Sequence, residues 1–589
     1  MKSFAFASLI LLAACAKISP SKVASPSKTD REFLQLANDY ITDYLAWRPQ
    51  SATSLGFHEF DGKLTDFSRR SLDAELARLK EFDAKLAVLD GRALNPGNSY
   101  DLRILQAAIH SERFKFEEME SYTRNPMTYA DAIEVSIYIK RNFAPLEQRV
   151  KSIIAIERQA PTVMANARAN LGESLPQPFV ETAIEMAKGA ADFLAKDLVE
   201  GLKALNDSSL RAEFNRVNEA AISEIRAYAE YLQKEKLPKA HGHYALGREK
   251  FQKMLHEGEL IDFSPEHVLE VGLRELRREQ EIFAETARKI DASQKPIAVF
   301  KEIQKDHPTE SGLIPETKRN LEGIRQFLID HQIVTLPSEV RARVEESPQF
   351  MRATSFASMD TPGPFETKAT EAYYYVTPTE KEWPAVQKEE WLTAFNYYTT
   401  DVVTIHEAYP GHYVQFLALN ASPANKLEKI FNSYAFVEGW AHYTEQMMVD
   451  EGYGANGFRS QSDLIRAAKY RLAQSDEALL RLCRLCVSIK THCEGMTVDE
   501  GTKFFEENCY YEHKPARQEA IRGAFDPGYL YYTLGKLQIL KLRQDYQREQ
   551  GTAYSLRKFH DEMLRHGAPP IRLLREMILS NRRSWGESF

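Results

Sequence analysis

Long basic runs are missing from this sequence, and with them the means to track a phosphate backbone. Lys and Arg number 76 against 84 Asp and Glu, a net charge of -8, so nucleic acid is not an expected partner. No segment holds about eighteen uninterrupted apolar residues, which excludes a membrane-spanning helix. The absence of fixed-period self-similarity argues against a helical solenoid. Glycine and proline, 27 and 26 in 589 residues, are not enriched, so the chain is neither collagenous nor of low complexity. Cysteine is scarce, with five in all. The C-x-x-C pair Cys483 and Cys486 has no second pair at the spacing of a zinc ribbon.

What remains is the composition of a globular protein, 43% apolar and 27% charged, with enough residues for a large core. At this length a single core stops growing, so two lobes are expected, 31–300 and 301–589. The first residues differ from the rest. Met1-Lys2 is a short positive start, Phe4 to Leu12 an apolar stretch too short to span a bilayer, and Ala13-Ala14 the small residues a signal peptidase reads. Leu12-Ala13-Ala14-Cys15 resembles a bacterial lipobox, which implies a signal peptide over 1–14 and lipidation of Cys15. A plain secretory signal followed by a chance cysteine is the alternative. Residues 15–30 then form a polar tether, and the chain is exported and lipid-anchored in the cell envelope, at the outer membrane or periplasmic face, with that anchor its only membrane contact.

Export permits disulfides among Cys483, Cys486, Cys493 and Cys509. If Ala478 to His492 and Val498 to Cys509 form a helical hairpin turning near Gly495, Cys483 and Cys509 lie at similar distances from the turn. That pairing is the first to test, with simple buried thiols as the alternative.

From Asp30 to about Ile290 nearly every segment has the three-and-four apolar spacing of a core-facing helix. After about Pro308 two short stretches, Gln332 to Pro337 and Ala372 to Thr377, are β-branched or aromatic and bounded by turn residues, which suggests strands of a small sheet. Tyr373, Tyr374 and Tyr375 lie in the second. If it is an edge strand beside the site described next, it can pair with an extended peptide; an ordinary sheet with two buried rings is the other reading. Helix resumes from about Lys388.

Thr399 to Gln415 carries His406 and Glu407 side by side, followed by Pro410-Gly411 and His412. Zinc takes about three nitrogen or oxygen ligands, and hydrolysis needs a carboxylate beside the activated water. On an unbroken helix a six-residue offset places His406 and His412 about 240° apart. Pro410 removes the N–H that would bond the His406 carbonyl, and Gly411 is free to take unusual dihedrals, so a break there could return His412 to His406. In Phe436 to Gly452, Glu438, His442 and Glu445 share one helical stripe. Glu438 completes a two-histidine, one-glutamate set, and Glu445 or His442 could bond a ligand histidine from behind.

HEAYPGHYVQ, FVEGWAHYTE and the later R-G-x-x-D-P-G-Y-L-x-Y-T-L-G-K, with PQSATSLGFHEFDGKLTD near the start, resemble the family catalogued as domain of unknown function 885, grouped with gluzincin-type zinc metallopeptidases. The resemblance implies a mainly α, two-lobed oligopeptidase-like fold with a deep central cleft and a small β-sheet beside the zinc helix. It implies Zn2+ held by His406, His412 and Glu438, with Glu407 as base. Tyr532 and Arg522 fall on the family's tyrosine before L-G and arginine before P-G.

The chemistry expected is hydrolysis of short peptides, Glu407 taking the proton of the attacking water and handing it to the leaving amine. Tyr532, and after it His442, are candidates to stabilise the oxyanion, a role worth about 3 to 4 kcal/mol; an aromatic core cluster over Tyr529 to Tyr532 is the alternative. Arg522 could hold a substrate carboxylate or form a salt bridge to Asp526 or Glu519. A lipoprotein, monomer or dimer, that only binds peptides or a partner is a rival from another class, and a zinc hydrolase of a non-peptide amide or ester a third possibility.

Overall fold

The computed structural model describes residues 27–348, 352, 356–455, 460–586 and 589. The expected signal peptide, Cys15 and most of the expected tether lie outside the described residues. Among the described residues no helix is long and apolar enough to cross a membrane.

The chain is mainly α, with one small sheet. Its longest helix, Gln461–Cys493, runs through the interior, with Leu472, Leu479, Leu482, Leu485 and Ile489 buried along it. Helix Pro265–Ile290 packs along it. Ser264 caps that helix by accepting from the His267 amide, Pro265 opens it, and Val268, Leu276, Phe283 and Ala287 recur at helical spacing on its buried face.

Among the described residues the apolar interior falls into three clusters. One gathers Tyr40, Leu79 and Leu105 with Leu427 and Leu573 from far along the chain. A second is built over Phe67 to Tyr244, with Ile153, Val180 and Ile225 at 0% exposure. The third begins at Phe251 and holds Val402, Ile405, Phe436 and Trp440, the apolar partners of the histidine and glutamate motifs.

The sheet has three strands, β1 (Arg343–Glu346), β2 (Ala357–Asp360) and β3 (Tyr373–Val376), in the order β1-β3-β2. β3 pairs in parallel with β1 and antiparallel with β2. The strand expected over Ala372 to Thr377 is therefore present, but as the centre of the sheet. Both its edges are bonded, so Tyr373, Tyr374 and Tyr375 cannot pair with a peptide, and the edge beside the histidine helix belongs to β2. Tyr374 and Tyr375 are buried and Tyr373 is half-buried.

The other expected strand, Gln332 to Pro337, is irregular. Ile333 and Val334 are buried, so the apolar signal reported burial and not extension. The segment's backbone groups bond to helices instead. The Ile333 amide donates to the Leu328 carbonyl at 3.0 Å, the Thr335 amide to Asp561 at 2.8 Å, and the Ile333 carbonyl lies 2.8 Å from Nδ1 of His560.

The hairpin about Gly495 forms, joining Gln461–Cys493 to Val498–Cys509. Burial and the neighbouring Cys509 push the Cys483 thiol well up, and all four described cysteines are free thiols.

Candidate metal centre

Helix Tyr397–Glu407 ends at Glu407 and a new helix, His412–Ala421, starts at His412. The break lies where Pro410 and Gly411 stand. Between them the chain makes a wide turn in which the Gly411 amide donates to the Ile405 carbonyl at 3.0 Å. A Cβ at Gly411 would collide with the His406 carbonyl oxygen, so only glycine lets the chain fold back this closely. The carbonyls exposed by the break are not left bare, because buried Trp440 donates its indole N–H to Pro410 O at 3.0 Å and Gly411 O at 3.3 Å.

The turn brings the two imidazoles together, with ring centroids 4.9 Å apart and planes at 90°. Glu438, in the first turns of helix Tyr434–Asp450, faces them. Its Oε2 lies 3.5 Å from Nε2 of His406 and 3.6 Å from Nε2 of His412. Ligand atoms each about 2.1 Å from a tetrahedral zinc are roughly 3.4 Å apart. Glu438 Oε2 is buried without a hydrogen-bond partner, and the three residues form the cluster among the described residues able to hold a metal ion. The donor set therefore fits zinc, and the orphaned carboxylate oxygen is what a cation would satisfy. Burial would raise the Glu438 carboxyl, but the two imidazoles outweigh it and hold the group well below the usual carboxylate range.

Behind this cluster, Glu445 places Oε1 2.6 Å from Nδ1 of His406 and Oε2 3.1 Å from Nδ1 of His442. Arg481 brings a guanidinium nitrogen 3.2 Å from the same Oε1 and also pairs with Glu477. Glu445 thus fixes the His406 ring so that Nε2 points at Glu438. His442 does not reach the open side of the cluster. It is 0% exposed, and burial, with the charge of Lys536 nearby, pushes its imidazole down to about 3. As an oxyanion donor His442 is excluded; it is a neutral prop for Glu445.

Glu407 is half-buried at the end of its helix. Its Oε2 accepts from the Met359 amide of β2 at 3.1 Å, and Oε1 has no hydrogen-bond partner among the described residues. Tyr532 is half-buried, whereas Tyr529 and Tyr531 are in the core, so the aromatic cluster divides and Tyr532 is the member on the side of the histidines. Its ring is 6.4 Å from that of His406. Burial and the charge of Glu438 raise its phenol and Arg484 and Arg522 pull it back; the net shift is upward, so it keeps its proton.

Tyr532 comes this near because helix Tyr531–Gln550 crosses helix Tyr434–Asp450 backbone to backbone. A Cβ on Gly439 would strike Gly535, and one on Gly535 would strike the Ala435 carbonyl. Those two glycines sit in the E-G-W-A and T-L-G-K motifs. Arg522 is bonded to Asp526 through Nε at 3.0 Å and Nη2 at 2.9 Å, while Glu519 is taken by Arg484 in a bidentate pair at 2.8 Å.

Sequence reasoning missed Arg481, Trp440 and Met359. Arg481 had a signal, a charged residue inside the apolar run LLRLCRLC. Met359 had none, because it acts through its backbone.

A mainly helical protein with a half-buried site of two histidines and a glutamate is the class that fold and site define. The model of the family described as bacterial protein of unknown function (DUF885) matches residues 49–578, and the chain belongs to that family. Among curated proteins no match is found. A proposed lipoprotein of unknown function from Shewanella oneidensis shares the fold at 24% identity and TM-score 0.76, over 93% of this chain and 100% of that one. A second proposed lipoprotein, from Colwellia psychrerythraea, does so at 18% identity and TM-score 0.74, over 95% and 100%.

Proposed function

We propose that the protein is a zinc-dependent metallopeptidase of the gluzincin type, acting on short peptides in the cell envelope. The observation that carries the reading is the convergence of His406 Nε2, His412 Nε2 and Glu438 Oε2, with Glu407, the residue after His406, held through Oε2 by the Met359 amide. A binding protein has no need of a base next to its metal ligands.

His406, His412 and Glu438 would hold the ion, and zinc there supplies the Lewis acidity that activates water and polarises a carbonyl. The other steps belong to the chain. Glu407 accepts the proton of the attacking water at Oε1, while the Met359 amide keeps Oε2 in place, and Glu407 then delivers that proton to the leaving amine. Tyr532, holding its proton, donates to the oxyanion as it develops. β2, whose outer edge carries the Met359 amide bonded to Glu407 and no strand among the described residues, takes the role of substrate strand by bonding the peptide backbone. Arg522, bonded to Asp526, lies over the Tyr532 ring at 5.9 Å and steadies that side chain.

Anchoring through Cys15 in the envelope is part of the same proposal, supported by the lipobox and by the description of both structural relatives as proposed lipoproteins. The test is metal analysis of purified protein alongside hydrolysis of internally quenched peptides, before and after removal of metal by a chelator. One equivalent of zinc with activity lost on chelation and regained on its return is expected. Metal-free protein that cleaves equally well overturns the reading.

A further inference from the structure

The motif PQSATSLGFHEFDGKLTD, Pro49 to Asp66, ends 340 residues before His406 and contributes no ligand, base or oxyanion donor. In the structure it grips the connection between β2 and β3. Helix Pro49–Leu55 ends on Gly56, whose φ of 102° is left-handed. A Cβ on Gly56 would strike the Glu366 backbone, and one on Gly363 would strike the carbonyl of Ser54. The two chains therefore interlock through paired glycines. The Phe365 amide donates to the Leu55 carbonyl at 3.0 Å, and the rings of Phe57 and Phe365 stack at 4.6 Å.

His58 holds the contact from the side. Its Nε2 is 2.8 Å from Oε2 of Glu366, its Nδ1 is 3.2 Å from Asp61, and its ring stacks on Phe143 at 4.1 Å. Glu366 in turn accepts from the amides of Lys368 at 2.7 Å and Ala369 at 3.2 Å. Buried Arg141 completes the grip, donating to the carbonyls of Ala369 at 3.2 Å and Glu371 at 2.8 Å and to Asp360, the last residue of β2, at 2.6 Å.

Apart from the contacts of His58 with Asp61 and Phe143, which fix its ring, all of these contacts fall on Asp360 or on the segment that follows it. One residue earlier in β2, the Met359 amide is the group bonded to Glu407. β2 is held on one side by β3 and, among the described residues, has no strand on the other, so its distance from Glu407 depends on where this connection is fixed.

We propose that His58, through Glu366, is a positioning residue of the reaction centre, holding β2 at its bonding distance from Glu407, with Arg141 as its partner in that task. This rests on the reading of Glu407 as the base and β2 as the strand that meets substrate. Displacement of a reacting group by about 1 Å can cost on the order of 100-fold in rate.

The experiment compares wild type, His58→Ala, His58→Gln and Glu366→Gln by hydrogen exchange over residues 356–372 and by kcat and KM for a quenched peptide, with metal content measured in each. His58→Ala is expected to speed exchange across β2 and to lower kcat by roughly 10- to 100-fold with metal still bound at wild-type stoichiometry. His58→Gln, whose amide can still donate to Glu366, should restore most of both. Glu366→Gln keeps the shape of the contact but not its charge, and gives the same reading should His58→Ala not fold. Exchange and kcat that stay at wild-type values in His58→Ala and Glu366→Gln overturn the proposal, as does activity lost in step with metal. If the wild-type protein cleaves no peptide, the peptidase reading falls and exchange at β2 alone decides the positioning role.

Discussion

Glu445 Oε1 and His406 Nδ1 are 2.6 Å apart in the interior, with the Arg481 guanidinium on the same carboxylate oxygen at 3.2 Å. This contact decides which ring nitrogen of His406 faces Glu438. Supports of this kind are worth roughly 10- to 100-fold in metal affinity. Glu445→Gln is expected to weaken zinc binding by about that factor, read by competition with a chromophoric chelator. An unchanged affinity would mean that the ring is held by packing alone.

His406 without metal lies between Glu438 and Glu445. Burial works against its proton, but the two carboxylates outweigh burial and push the imidazole up to about 10. A cation bound at Nε2 must displace that proton. Uptake of each metal ion between about pH 7 and 9 is therefore expected to release about one proton from this group, and apparent affinity to rise with pH until about pH 10. Calorimetry in two buffers of different ionisation heat counts the protons. For the metal-free fold the sign is opposite: the raised pKa stabilises below the unfolded value of about 6.5, and that contribution is lost as pH rises through about 10.

Gly411 has no room for a methyl group against the His406 carbonyl. Gly411→Ala should therefore push His412 away from His406 and leave a folded, helical protein with far less than one equivalent of zinc. Circular dichroism and metal analysis on the same sample check this. Full metal occupancy in that variant would show that His412 is dispensable.

Gly439 and Gly535 let two helices touch, and overpacking such a contact costs about 1 to 3 kcal/mol. Gly535→Ala is expected to lose stability in that range by denaturant titration. Because the same crossing sets Tyr532 beside Glu438, activity should fall by more than the loss of folded protein explains.

Tyr532→Phe removes one hydroxyl at the half-buried edge of the site. A fall in kcat of roughly 100-fold with KM and zinc content little changed is expected of an oxyanion donor. A drop of less than about threefold would return Tyr532 to the aromatic core.

Much of this site was legible in the sequence, and the reasons are local. Pro410 and Gly411 announce a helix break at a six-residue histidine spacing, and the stripe Glu438, His442, Glu445 reads directly from helical periodicity. Periodicity could not separate Glu445, which grips His406, from His442, which only braces Glu445, because both lie on the buried face. The position of β3 in its sheet was beyond local reading, since order in a sheet is set by pairing with strands up to thirty residues away. Gln332 to Pro337 misled for a related reason. Its β-branched residues recorded a buried environment, and helices around it, not strands, supplied its hydrogen bonds.

The most direct test of the account is Glu407→Gln beside wild type, with zinc and peptide hydrolysis measured on the same preparations. Both proteins are predicted to hold one equivalent of zinc, and the variant to cleave peptides at least roughly 1000-fold more slowly, since the change removes the base and spares the ligands. A variant that cleaves at the wild-type rate would contradict the account, as would a wild-type protein that binds no zinc.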